Sequence, residues 1–162
     1  MKTSLVLLSL IFPAFLRSEI QQMTFHLQPS SCSGCAAGKM RIIQKADGVE
    51  KAELQLKENK VLVTLKAPFI TSLEPVKNYV RSATFIFLSV DALAVGTLRQ
   101  EGLKYFLDVS QTKLSFELQI GPHSPPHALK SLQEMAGKPV KLLGKEVPGK
   151  PVPTLEFLAF KN

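Results

Sequence analysis

The sequence has few of the motifs on which enzyme chemistry is built. It contains no glycine-rich phosphate loop, no serine in a recognisable nucleophile elbow and no pair of carboxylates that can be assigned to a cleft. Only two of its 162 residues are cysteines, and its three histidines lie elsewhere in the sequence. Zinc prefers four ligands in a tetrahedron, so one chain does not readily complete a structural zinc site. We therefore expect no catalysis, and only weak zinc binding that requires a second chain.

The chain also lacks a concentrated basic stretch, although its formal net charge is +7. Lysine and glutamate alternate along much of it, as at Glu50-Lys51 and Lys57-Glu58. This alternation is typical of solvated surfaces, so nucleic acid is not expected as a partner. With 45% hydrophobic residues, the chain can bury a core, in one domain or in two small ones.

A long apolar run occurs only near the start of the chain. Lys2 precedes the run at residues 5–16, which is followed by Arg17-Ser18-Glu19. Such a run is too short to span a bilayer and is typical of a secretory signal. We expect residues 1–18 to be a signal peptide, and the mature chain to be secreted or periplasmic without stable membrane insertion. An uncleaved anchor is the alternative.

The first half of the mature chain has the hydrophobic periodicity of alternating strands and helices. Apolar residues recur at every second position in 23–28, 49–56 and 60–66, which predicts strands. Good helix formers fill 36–46, and apolar residues recur at helical spacing after the capping residue Ser72. A further strand is predicted at 85–90. The resulting β-α-β-β-α-β order is that of the ferredoxin-like arrangement.

Both cysteines lie in the loop at residues 29–35, between the first strand and the first helix. Cys32 and Cys35 are separated by two residues, so both thiols can turn the same way at a helix N-terminus, where N–H groups and the helix dipole favour thiolate. Thiolates select soft ions, and two of them suit two-coordinate Cu(I), Ag(I) or Hg(II). Export, however, implies an oxidising compartment in which the pair can close into a structural disulfide. A thiol redox module is a third interpretation.

Residues 23–90 resemble the heavy-metal-associated (HMA) domain of metallochaperones, periplasmic mercury-binding proteins and metal-transporting ATPases. Cys32-Ser33-Gly34-Cys35 stands between the first strand and helix, Asp47-Gly48-Val49 follows at the family's usual distance, and residues 61–65 match its third strand. The resemblance implies that Cys32 and Cys35 bind Cu(I) or Hg(II) for transport, buffering or delivery. It also implies that a metal transporter or another metal-binding domain is the partner.

The second half predicts a small barrel. Strands are expected at 95–98, 103–109 and 113–120, a helix at 128–135, and two more strands at 138–147 and 154–160. Three strands, a helix and two strands is the order of an OB-type barrel. The predicted fold class is therefore α+β, with a signal peptide (1–18), a ferredoxin-like βαββαβ domain (19–90) and a small OB-like β-barrel domain (91–162).

The histidines are not expected to bind metal. His26 falls on the face of the first strand opposite the apolar residues, where a solvated side chain is the expected outcome. His123 and His127 lie in a proline-rich stretch at 121–127. The prolines favour a loop over a helix that would bring the two rings to one face.

Overall fold

The computed structural model describes residues 19–29, 36–66, 72–109 and 113–162. The predicted signal peptide, residues 1–18, lies outside the described residues, and so do Cys32 and Cys35. In the described residues no helix is long and apolar enough to cross a membrane.

Eight strands and three α-helices follow one another in this part of the chain. In order they are β1 (Glu19–Leu27), α1 (Ala36–Gln44), β2 (Val49–Gln55), β3 (Lys60–Leu65), α2 (Glu74–Ser82), β4 (Phe87–Glu101), β5 (Lys104–Val109), β6 (Leu114–Gln119), α3 (Ala128–Met135), β7 (Pro139–Glu146) and β8 (Thr154–Lys161).

Alternation and local turn chemistry explain most of these elements. In β1, Met23, Phe25 and Leu27 are buried while the residues between them are partly exposed, as expected for a strand with one covered face. A short 3₁₀ turn, Leu56–Glu58, joins β2 to β3 and ends at Asn59, whose φ is 50°. Asparagine tolerates this left-handed conformation better than most residues do.

All eight strands belong to one sheet, in the order β2-β3-β1-β4-β5-β6-β8-β7. An additional pairing of β7 with β4 closes the last five strands into a barrel. Strand β6 runs parallel to β8, and the other pairs are antiparallel. The strands β2, β3 and β1 extend the sheet beyond the barrel.

Strand β4 is common to the barrel and its extension. It pairs with β1 over residues 87–95, with β7 over 91–97 and with β5 over 97–101. All buried hydrophobic residues of the strands except Val95 belong to one cluster, which reaches from Phe25 through Ala92 and Leu98 to Phe116. The core is therefore continuous along β4.

The predicted fold class is wrong. Half of the described residues are in strands and 22% in helices, and the chain is a closed five-stranded barrel with extra strands, not a ferredoxin-like βαββαβ domain next to a barrel domain. The five-stranded barrel expected for the second half is present. The elements also follow in the predicted order, except that the two strands predicted at 85–90 and 95–98 are one strand, β4. The strand expected to end at Val90, however, continues to Glu101, because residues 91–95 pair with β1 and residues 91–97 with β7. The predicted domain boundary at 90–91 thus falls inside β4.

Candidate functional site

The predicted metal ligands, Cys32 and Cys35, lie in the segment 30–35, outside the described residues. The residues on either side of this segment belong to the part of the chain that the structure describes. Strand β1 ends at Leu27 and α1 begins at Ala36, so Cys35 is the residue immediately before the helix. The assignment of the two thiols as ligands stays a prediction.

Backbone hydrogen bonds fix the chain where it leaves β1. The N–H of Leu27 donates to the carbonyl of Asn59 (2.7 Å), and the N–H of Gln28 donates to that of Ile86 (2.9 Å). On the other side of the segment, Ala36 is buried. The two ends that carry the cysteine segment are therefore both anchored to the fold.

Lys39 holds a positive charge beside these two ends. Its ammonium donates to the carbonyl of Thr84 (3.3 Å) and lies 5.0 Å from the centroid of the Phe85 ring. Lys39, Gln28, Ala36 and Phe85 line the same small cavity, of about 30 Å³. No carboxylate in the described residues pairs with Lys39, and the first turn of α1 has no acidic residue. A negatively charged group at the start of α1 would be stabilised by this charge and by the helix dipole.

Thr84 is in an unusual backbone conformation next to this lysine. Its φ is 58°, a left-handed value that is disfavoured for β-branched residues. Strained residues of this kind often cluster at functional sites. The conformation of Thr84 is therefore consistent with a functional site near Lys39.

His26 is paired, which the sequence did not predict. Its Nε2 lies 2.7 Å from Oδ2 of Asp91, and only 33% of its side chain is exposed. The ring was expected to be solvated. It does lie on the face of β1 opposite the buried residues, but β4 brings Asp91 next to it from 65 positions away.

His123 is held by a buried carboxylate. The N–H of His123 donates to Oε1 of Glu156 (2.5 Å), and the ring Nδ1 lies 3.1 Å from Oε2. Burial acts to raise the pKa of Glu156, but the main-chain and ring hydrogen bonds of His123 outweigh it and hold that pKa below its usual value. His127 immediately precedes α3. The stretch that contains both rings is a loop, as predicted.

Lys77 is a buried cation that the sequence gave no reason to single out. Only 6% of it is exposed, and its ammonium contacts Oε1 of Glu74 (2.5 Å) and Oε1 of Glu146 (2.7 Å). Burial opposes the charged form, but the hydrogen bonds to Glu146 and Glu74 outweigh it and raise the pKa of Lys77. The same contact with Lys77 lowers the pKa of Glu74.

Apart from Glu74–Lys77, which lies within α2, these ionic pairs join parts of the chain that are distant in sequence. Glu146 ends β7 and Lys77 lies in α2, so no local spacing predicts their contact.

In the described ranges, no group of three or more histidine, cysteine, aspartate or glutamate side chains is arranged to hold a metal ion. No protein-family model and no curated protein matches this sequence.

Proposed function

We propose that this chain is an exported protein that binds one soft metal ion, Cu(I) or Hg(II), through the thiolates of Cys32 and Cys35. The observation that carries the proposal is the position of the pair: two residues separate the cysteines, and Cys35 directly precedes Ala36, the first residue of α1. Thiolates are soft ligands, and the start of a helix favours their negative charge. The proposal rests on this chemistry and does not require a ferredoxin-like domain.

Charge balance supports a two-thiolate complex at this place. Two thiolates around Cu(I) carry one net negative charge. Lys39 follows Cys35 by four residues, which is about one helical turn, and its charge is not neutralised by a carboxylate in the described residues. The lysine and the helix dipole together would offset the charge of the complex. Delivery of the ion to a metal transporter or another metal-binding domain is the function that we attach to this site.

The first prediction is that the reduced protein binds one Cu(I) or Hg(II) per chain. Cu(I) would be titrated anaerobically in competition with a chromophoric chelator, on the wild type and on a Cys32→Ser, Cys35→Ser double variant. Only thiolates supply soft ligands in the proposed site, so the double variant should lose the ion. A Ser33→Ala variant, which changes the same segment but keeps both thiols, serves as the matched control and should retain the one-to-one stoichiometry.

Two results would contradict this proposal. Unchanged stoichiometry in the double variant would show that the ion binds elsewhere, and tight one-to-one zinc binding by a monomer would show that the site has more ligands than two thiols. Thiol titration of the purified protein, with and without reductant, tests the alternative. A pair that remains oxidised and binds no metal after reduction would favour a structural disulfide.

A further inference from the structure

The outer face of the sheet carries an ordered arrangement of side chains where β1, β4, β7 and β8 lie side by side. Gln22 pairs with Leu93, and Leu93 pairs with Leu143 on the other side of β4. In the adjacent row, Val95 pairs with Lys141. Since directly paired residues point to the same face of a sheet, these side chains stand next to one another. We call this surface the lysine face; it comprises Gln22, Thr24, Leu93, Lys141, Leu143, Lys161 and Asn162.

Two lysines on this face oppose each other, and no carboxylate of the described residues forms an ion pair with either. Lys141 of β7 is the direct cross-strand partner of Lys161 of β8, and like charges in this position destabilise a sheet. Neither ammonium forms an ion pair or a hydrogen bond within the described ranges. By contrast, Lys145 is paired across the sheet with Asp91 on one side and Glu156 on the other. Among the described residues, no ion pair therefore offsets the repulsion between Lys141 and Lys161.

The lysine face is concave and has an apolar floor. Its side chains surround a cavity of about 340 Å³, a size found for small-molecule sites. Leu93 and Leu143 are half-buried, although no described element covers them. The amide of Gln22 and the hydroxyl of Thr24 lie beside these leucines and form no hydrogen bond in the described structure. The cavity thus combines two cations, an apolar surface and two free hydrogen-bonding groups.

We propose that the lysine face binds a small organic anion, a carboxylate or phosphate attached to an apolar body. An anion between the two ammonium groups would convert their repulsion into attraction, and the apolar body would cover Leu93 and Leu143. A free amphiphile fits better than a membrane surface, because the face is concave and a bilayer is flat on this scale. The site uses none of the residues of the thiol segment, so a test of anion binding here is independent of a test of metal binding there.

Octyl phosphate, titrated below its micellar concentration and followed by calorimetry, is a suitable probe. We expect saturable binding of one molecule per chain. Octyltrimethylammonium has the same tail with the opposite charge, and inorganic phosphate has the charge without the tail. Each of these controls should bind at least about tenfold more weakly, since each lacks one of the two matched contacts.

Substitution of the lysines tests the location of the site. A Lys141→Gln, Lys161→Gln double variant should bind octyl phosphate at least about tenfold more weakly, and it should melt no lower than the wild type because the repulsion is gone. Lys150→Gln, an exposed lysine in the loop between β7 and β8, is the matched control and should leave binding unchanged. Lys161→Glu, at the exposed last residue of β8, tests the same point should the double variant fail to fold.

Three outcomes would overturn the proposal. They are equal binding by the lysine variants and the wild type, equal affinity for the cationic and anionic amphiphiles, and binding to anionic phosphatidylglycerol vesicles without binding to monomeric octyl phosphate. The last result would assign the face to a membrane surface. Loss of binding together with an unchanged or raised melting temperature would support the proposed site.

Discussion

Removal of the Lys77 ammonium should strongly lower the free energy of unfolding. Its ammonium is buried between Glu74 and Glu146, and the Glu146 side chain is only 18% exposed. Removing one member of a buried ion pair leaves the other charge without compensation, at a cost of about 3 kcal/mol. Since Lys77 lies in α2 and Glu146 in β7, this loss would weaken the contact between helix and barrel.

We predict that Lys77→Met lowers the free energy of unfolding by about 3 kcal/mol, and that a second substitution, Glu146→Gln, recovers much of the loss. The second change removes the carboxylate that the first leaves unpaired. Urea unfolding at pH 7 of the two single variants and the double variant measures the coupling. If the losses of unfolding free energy in the two single variants sum to the loss in the double variant, Lys77 and Glu146 do not interact directly.

The ion pair of Lys77 with Glu74 also predicts how the difference in unfolding free energy between the wild type and Lys77→Met depends on pH. The pKa of Lys77 is raised in the folded state, so its contribution is fully present below the unfolded pKa of about 10.4 and is lost as pH rises through the folded value. The pKa of Glu74 is lowered, so its contribution is present above the unfolded pKa of about 4.3 and is lost as pH falls through the folded value. The difference between wild type and Lys77→Met should therefore be largest between these limits. A difference that stays constant up to pH 12 would exclude the charge of Lys77 as its cause.

At the scale of elements, two glycines should respond to alanine in opposite ways. Gly38 lies inside α1, and a Cβ placed there meets no atom of the described residues within 4 Å. Gly96 lies in β4, where a Cβ would come within 2.5 Å of the main-chain oxygen of Asp108 on β5. Alanine at position 38 should stabilise the helix, because alanine has a higher helix propensity than glycine. Alanine at position 96 would instead force β4 and β5 apart.

We expect Gly38→Ala to stabilise the protein by about 0.5–1 kcal/mol and Gly96→Ala to destabilise it by about 1–3 kcal/mol. Thermal unfolding of both variants beside the wild type gives the comparison. Stabilisation by Gly96→Ala would mean that β4 and β5 are not packed as closely as described.

Local patterns were sufficient to find most elements but not their limits. The alternation of Met23, Phe25 and Leu27 identified β1, and helical spacing identified α2. Strand β4 was divided in two because Ala92 and Ala94, which face the core, are too small to stand out from their neighbours. Its full length depends on pairing with β1 and β7, whose residues are far away in sequence.

The candidate sites were predictable to different degrees. The spacing of Cys32 and Cys35 is visible in the sequence and led directly to a soft-metal hypothesis. The opposition of Lys141 and Lys161 follows from the β7–β8 register, and the pairing of His26 with Asp91 follows from the β1–β4 register. Register between distant strands is not encoded in any short segment, which is why sequence patterns missed both.

For the whole molecule, the length of β4 bears on whether the first half can fold alone. The expected two-domain division places residues 19–90 in one unit and 91–162 in another. Five of the eight residue pairs between β1 and β4 involve β4 residues beyond Val90. A fragment that stops at residue 90 therefore loses most of the pairing that holds β1 to its neighbour.

We predict that fragment 19–101 unfolds at a higher temperature, and more cooperatively, than fragment 19–90. The reason is that 19–101 keeps every β1–β4 pair. Circular dichroism melts of both fragments, with the chain 19–162 as reference, measure the difference. Equal cooperative melts would support an independent first domain with a boundary near residue 90.

The β4–β7 pairing also determines when during synthesis the barrel can close. Residues 91–97 leave the ribosome well before their partners at 139–145, so one side of β4 stays unpaired until β7 has been made. Pairing between strands distant in sequence is slow to form, and an open strand edge can bind other chains in the meantime. For the export proposed above, a chain that crosses the membrane in an extended state would benefit from this delay, because premature closure of the barrel would obstruct its passage. The contact that completes the barrel thus also postpones its folding.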